Sequence, residues 1–404
     1  MTETAKKPSS SHGDTPHQKL FRQAVQERPD LRWVFELHPG AAPDINNEIH
    51  PLFRRSNFPS ASLYEYHGMS LALRLASLWL TVDPLLDWWM HASFDLEIQH
   101  PEREEQVLDN AMMYTPAHAA YVKEALANLA EFVVFDFDIY QEFVSCGRSQ
   151  WHETVREPIE PVHPFFRVTN EAGKRVVVKL HEHFRDYARE AFFNDPLDAQ
   201  LRYSFFLAAV LTHEVCHTFS MMKRNSTLEP LFHLEAPTTD WGTAWEMKVL
   251  GGEINPYHLS QMAPTTTLMA ADWVDRGKQC THGGLASSVV PMNWVAMWFK
   301  QRFWTEMQRG VDLREPPCCP LQVWQRTDKD NTLALFINDE AEPVVGSMHR
   351  SRGTKRKVSE KDSVDSDCDS AERGRDDGRR HAKRPHADSN DESVSSRTVK
   401  IDDS

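Results

Sequence analysis

Residues 211–219 read LTHEVCHTF, with His213 and His217 four positions apart and Glu214 directly after the first histidine. On a helix, positions i and i+4 share a face, so both imidazoles can direct a nitrogen at one metal ion. Glu214 falls on the adjoining face. Its carboxylate can hold a water and take its proton while the ion acidifies that water and polarises a carbonyl. This is the chemistry of metal-assisted amide hydrolysis.

Two imidazoles leave such an ion short of a protein ligand, and the third must come from elsewhere. The stretch TTDWGTAWEMKVLGGEINP (238–256) supplies carboxylates on a second helix, which the sequence opens near Asp240 and stops at Gly251 and Gly252. A mid-helix carboxylate favours Glu246; Asp240 stands at the helix start, and spacing alone also admits Glu235. Whichever is not a ligand is expected to support one or, for Asp240, to cap the helix. His233, Tyr257 and His258 flank this helix and are candidates to donate to a developing oxyanion.

The run VLTHEVCHTF, uncharged around its histidines, resembles the HExxH zincin metallopeptidases. The resemblance implies a Zn²⁺ cofactor, a zincin-like α+β domain and a peptide or protein substrate, with Glu214 as general base. Metzincins continue as HExxHxxGxxH, but Ser220 and Lys223 occupy those two positions here. The gluzincin-like branch, which takes an acidic ligand from a later helix, is the one left. DWGTAWE is loosely similar to the NEGFA ligand helix of gluzincin aminopeptidases, and that comparison would put the ligand at Asp240. The resemblance covers these two helices only.

Other elements have to position them. NDPLDAQLRYSFFLAAVLTHEVCHTFSMM (194–222) predicts one long helix, with Asp195 as N-cap and Pro196 in its first position. Its middle, SFFLAAVL, is apolar nearly all round, as in a helix that runs through a core. FFRVTNEAGKRVVVKLH (165–181) reads as a hairpin turning at Asn170–Gly173, with RVVVKL (175–180) as an edge strand on which a peptide could pair. EFVVFDFDIY (131–140) reads as a strand, and Asp136 and Asp138 on it as water-facing. Helical spacing marks SLALRLASLWL, DPLLDWWMHA and PAHAAYVKEALANLA upstream, and a single aromatic helix, PMNWVAMWFKQRFWTEM (291–307), downstream. The expected fold class is α+β, mainly helical, with a small mixed β-sheet beside a buried HExxH helix.

A chain of 404 residues with 40% apolar side chains and 12 tryptophans can bury a large core. Its formal charge is −14, and residues 345–404 hold 14 Lys and Arg against 13 Asp and Glu, so the rest is strongly acidic. Such a body repels phosphate backbones, and nucleic acid is not an expected partner of the core. The N-terminal segment lacks the apolar stretch of a secretory signal, and the six cysteines show no paired spacing, both pointing to an intracellular, reducing setting. LALRLASLWLTVDPLLDWWM is broken by Arg74, Asp83 and Asp87 and reads as buried helices, not a membrane span. No GxSxG, P-loop or GxGxxG motif is present, and Leu321 stands where a zinc deaminase needs cysteine.

Composition divides the chain into a disordered lead-in at 1–17, a zincin-like domain of one or two lobes at 18–344, and a mixed-charge, disordered tail at 345–404. The tail carries KRK (355–357), RRHAKR (379–384) and Ser363, Ser366 and Ser370 among acids, features suited to an import receptor or a kinase as partner. A nuclear or cytoplasmic location follows as an expectation. The alternative function is a non-enzymatic interaction protein that keeps a zincin-like fold.

Overall fold

A computed structural model of the chain describes residues 23–109, 112–138, 147–152, 163–166, 175–256, 267–270, 285–315, 319, 321–325, 333–337 and 345–348. Met1–Ser351 form one unit and Arg352–Ser404 a second, all of which lies outside the described residues, as does the 1–17 lead-in. The first unit is α+β. Two short helices, α1 (23–27) and α2 (Arg32–Phe35), precede α3 (Leu63–Thr81). Ser62 and Glu65 start α3 as a capping box, each side chain accepting the other's backbone N–H. The break at Val82–Pro84 then turns the chain by 75° into α4 (Leu86–Phe94). Next come the antiparallel pair β1 (Glu97–Gln99) and β2 (Gln106–Leu108), and α5 (Pro116–Leu129).

β3 (Val133–Asp138), β4 (Gly147–His152) and β5 (Arg175–His181) form a three-stranded mixed sheet in the order β3-β5-β4, with β5 parallel to β3 and antiparallel to β4. This corrects the sequence reading twice. The partner of β5 is β4, from well upstream; Phe165 and Phe166 lie in a turn, their rings 5.3 and 5.9 Å from that of Phe219, and residues 167–174 lie outside the described residues. β5 is also central and not an edge, because Val176, Val178 and Leu180 are wholly buried and both its sides are already paired. The edge strand beside the long helix is β4. Asp136 carries an ion pair to Lys179 at 2.6 Å.

After α6 (Glu182–Glu190) comes α7 (Leu197–Arg224), 28 residues and about 42 Å long. Its N-terminal flank is Pro196; the Asp195 carboxylate instead accepts the Tyr187 hydroxyl at 2.8 Å. α7 is long and apolar enough to cross a membrane, yet 89% of its apolar window is buried inside this fold. It packs on α3, and α8 (Trp241–Val249) packs on it. Trp79 of α3 anchors this layer, its ring 5.6 Å from Phe205 of α7 and 5.2 Å from Trp245 of α8.

Beyond α8, strands β6 (Ile254–Pro256), β7 (Leu268–Ala270), β8 (Leu285–Val289), β9 (Leu321–Gln325), β10 (Leu333–Ile337) and β11 (Val345–Met348) form an antiparallel sheet in sequence order. β11 runs past residue 344, the boundary that composition suggests. The aromatic stretch after β8 is two helices, α9 (Met292–Met297) and α10 (Gln301–Gln308). Tertiary contacts hold the break: Phe299 O accepts the Asp44 and Ile45 N–H groups, and Asp44 Oδ1 accepts the Gln301 N–H at 2.5 Å.

Candidate metal centre

His213 and His217 lie one turn apart in the C-terminal half of α7, and the chain must return to bring other groups to them. Asn225, left-handed at φ 54°, ends the helix and starts that return. The returning segment is pinned in passing: Leu231 exchanges backbone hydrogen bonds with Gln106 and Leu108 of β2, and Trp241 Nε1 donates to Pro230 O at 2.9 Å. Asp240 then caps α8, its Oδ1 accepting the Thr243 N–H at 2.6 Å. Gly242 follows because no side chain fits there: a β-carbon would collide with the His213 ring.

The result is a convergence of three ligand atoms. His213 Nε2 and His217 Nε2 are 3.1 Å apart, and Asp240 Oδ1 lies 3.7 Å from the first and 3.6 Å from the second. A tetrahedral ion with bonds of about 2.0–2.1 Å separates its ligands by about 3.3 Å, so the spacing suits one ion with little rearrangement. The far side of each ring is held by a carboxylate. His213 Nδ1 is 2.8 Å from Glu246 Oε1, and His217 Nδ1 is 3.0 Å from both oxygens of Glu229. Each Nδ1 therefore donates, and in a neutral ring the lone pair sits on Nε2, aimed at the common point.

Three acceptors facing one another call for a cation. Burial by itself lowers the His213 pKa, but the Glu246 hydrogen bond and charge, with Glu214 and Asp240 behind them, outweigh it and push it up to about 10. His217 is raised in the same way, burial being overridden by Glu229. Burial raises Asp240, but the two imidazoles dominate and hold it below the usual carboxylate range. Glu246 sits above that range because burial prevails over its His213 contact. A proton or a metal ion can supply that charge, and the two compete for the same place.

The expected residues divide clearly. His213, His217 and Asp240 form a group with ligand atoms within 4.8 Å of one another, a set that could hold a metal ion. Glu246, favoured from sequence as the third ligand, lies on the Nδ1 side of His213, and its other oxygen accepts the Ile254 N–H at 3.0 Å. Glu246 lies six residues beyond Asp240, about one and two-thirds turns along α8, level with the back of the ring and not with its Nε2. Glu214 is buried beside the histidines and lines the same cavity. His233 and Glu235 are exposed and are not among the described residues that line it, while Tyr257 and His258 lie outside the described residues. Glu229 and Gly242 were not singled out by sequence; the glycine in DWGTAWE was the one available signal for the latter.

The cavity has a volume of about 1110 Å³, with Phe206, Ala209, Val210 and Met221 of α7 among its apolar lining. Comparison with known proteins finds no matching family model, curated protein or solved structure, so what the centre can do is argued from its geometry.

Proposed function

We propose that the chain is a zinc-dependent metallopeptidase of the gluzincin-like zincin type, hydrolysing an amide bond in a peptide or protein. The observation that carries this reading is the convergence of His213 Nε2, His217 Nε2 and Asp240 Oδ1 beside a buried glutamate. Two imidazoles and a carboxylate suit zinc, with ferrous iron as the nearest competitor, and the adjoining Glu214 favours the hydrolytic ion. When bound, the ion supplies a Lewis acid that acidifies water and polarises the scissile carbonyl.

The chain's own groups do the rest. Glu214 takes the proton from the attacking water and returns it to the leaving nitrogen. Glu229 and Glu246 keep each imidazole turned with Nε2 toward the substrate side. A cavity of about 1110 Å³ exceeds the ~300–1,000 Å³ usual for small-molecule pockets, in keeping with a polymeric substrate. β4, the sheet edge beside α7, replaces β5 as the strand available to pair with an extended peptide. A nuclear or cytoplasmic setting, with an import receptor or kinase reading the tail, remains part of the proposal; the residues concerned lie outside those described.

The test is peptide-library hydrolysis by zinc-loaded wild type and Glu214→Gln. The proposal expects cleavage by wild type and a loss of about 10²–10⁴-fold in the variant, with zinc retained. Cleavage at the wild-type rate by the variant would remove Glu214 as the base. Metal-loaded wild type that cleaves nothing would favour the non-enzymatic interaction protein.

A further inference from the structure

The charge around the cleft goes beyond what metal binding needs. Six carboxylates line it: Glu214 and Asp240 at the centre, Glu229 and Glu246 behind the imidazoles, and Glu105 and Glu253 at exposed positions. Among the described lining residues Arg224 is the one guanidinium, and it is ion-paired with Glu97. A bound divalent ion offsets two of these negative charges and Arg224 is already matched by Glu97, so the described lining residues stay net negative even when the centre is loaded.

Glu105 and Glu253 are not acids on loose ends. Glu105 precedes β2, its carbonyl accepting the His100 N–H at 3.1 Å, and the next residue, Gln106, bonds Leu231 of the segment that carries Glu229. Glu253 precedes β6, whose Ile254 N–H donates to Glu246, the carboxylate that holds His213. The Asn255 amide donates to Glu253 Oε1 at 2.7 Å and fixes its side chain. The two acids thus come from separate elements, each tied by backbone hydrogen bonds to one imidazole's support. An apolar wall with fixed negative charge at its rim attracts cationic ligands and repels anionic ones, and low-dielectric surroundings strengthen the discrimination.

We propose that the cleft selects peptides carrying lysine or arginine near the bond to be cut, with Glu105 and Glu253 as specificity-determining residues. The proposal rests on the metallopeptidase reading for the word "cut", but not for the charge selection itself, and the two can be tested apart. Zinc-loaded full-length Glu214→Gln is titrated with fluorescent peptides of one sequence whose flanking positions are lysine and arginine, glutamine, or glutamate, at low and high ionic strength. The basic peptide should bind about tenfold or more tighter than the acidic one. High salt and the added Glu105→Gln/Glu253→Gln pair should each narrow that ratio; both residues are exposed, so the pair leaves the core intact. Equal binding of the three peptides, or a preference indifferent to salt and to the two substitutions, would overturn the proposal.

The same peptides are then given to zinc-loaded wild type. Cleavage without charge preference would overturn the selection while leaving the peptidase reading in place. Selective binding of the basic peptide without cleavage of any would support the selection and sink the peptidase reading.

Discussion

Each imidazole of the centre is held at both nitrogens, and that double hold defines what single substitutions should do. Glu229 contacts His217 Nδ1 through both oxygens and also accepts the Trp241 N–H at 2.9 Å, so one buried carboxylate ties His217 to the start of the helix capped by Asp240. Glu229→Ala is expected to lower zinc affinity by about 10–100-fold, measured by chelator competition. Asp240→Asn separates ligation from capping, because asparagine caps a helix as well as aspartate. It should lower zinc affinity sharply with the circular dichroism unchanged; wild-type affinity there, together with loss in Glu246→Gln, would return the third ligand to Glu246. His213, Glu214 and His217 were legible because a helix makes sequence neighbours into spatial ones. Glu229 was not, for its place beside His217 depends on a non-repeating return segment fixed by Leu231 and Trp241.

At the scale of elements, periodicity and caps carried most of the reading. α4, α5 and α7 cover stretches that apolar spacing marks, while α3 begins at Leu63, seven residues before SLALRLASLWL, and α7 starts one residue later than its proline suggests. The errors are pairings and breaks decided at long range: β5 takes a partner from across an interval the sequence does not mark, and Asp44 divides the 291–307 stretch into two helices. His50 offers an element-level pH test. It is buried, its Nδ1 accepts the Leu52 N–H at the head of a short turn of helix, and burial lowers its pKa from 6.5 to about 4. Between those values the unfolded chain binds more protons than the folded one. Stability from this group is therefore complete above pH 6.5 and falls as pH drops toward 4, by up to about 3 kcal/mol. His50→Asn, which keeps an acceptor but cannot titrate, should lose less stability than wild type in urea unfolding across that interval. Identical acid sensitivity of the two would count against burial of a neutral His50.

For the whole molecule, one long buried helix organises everything that the site requires: α3 and the β3-β5-β4 sheet cover α7, and α8 lies against the turn that carries the motif. Composition made the large core and the acidic body legible, since both are sums over the chain. It could not make the cleft legible, because the acids that line it come from elements far apart in sequence, from Glu105 to Glu253. The central claim, that this cleft is built around a metal ion, is tested most directly by elemental mass spectrometry on purified full-length protein after dialysis against metal-free buffer. Wild type should hold zinc near one equivalent per chain, and the His213→Ala/His217→Ala double variant should hold none. A folded wild type without zinc even after the metal is added back, or a double variant that still binds it, would contradict the account.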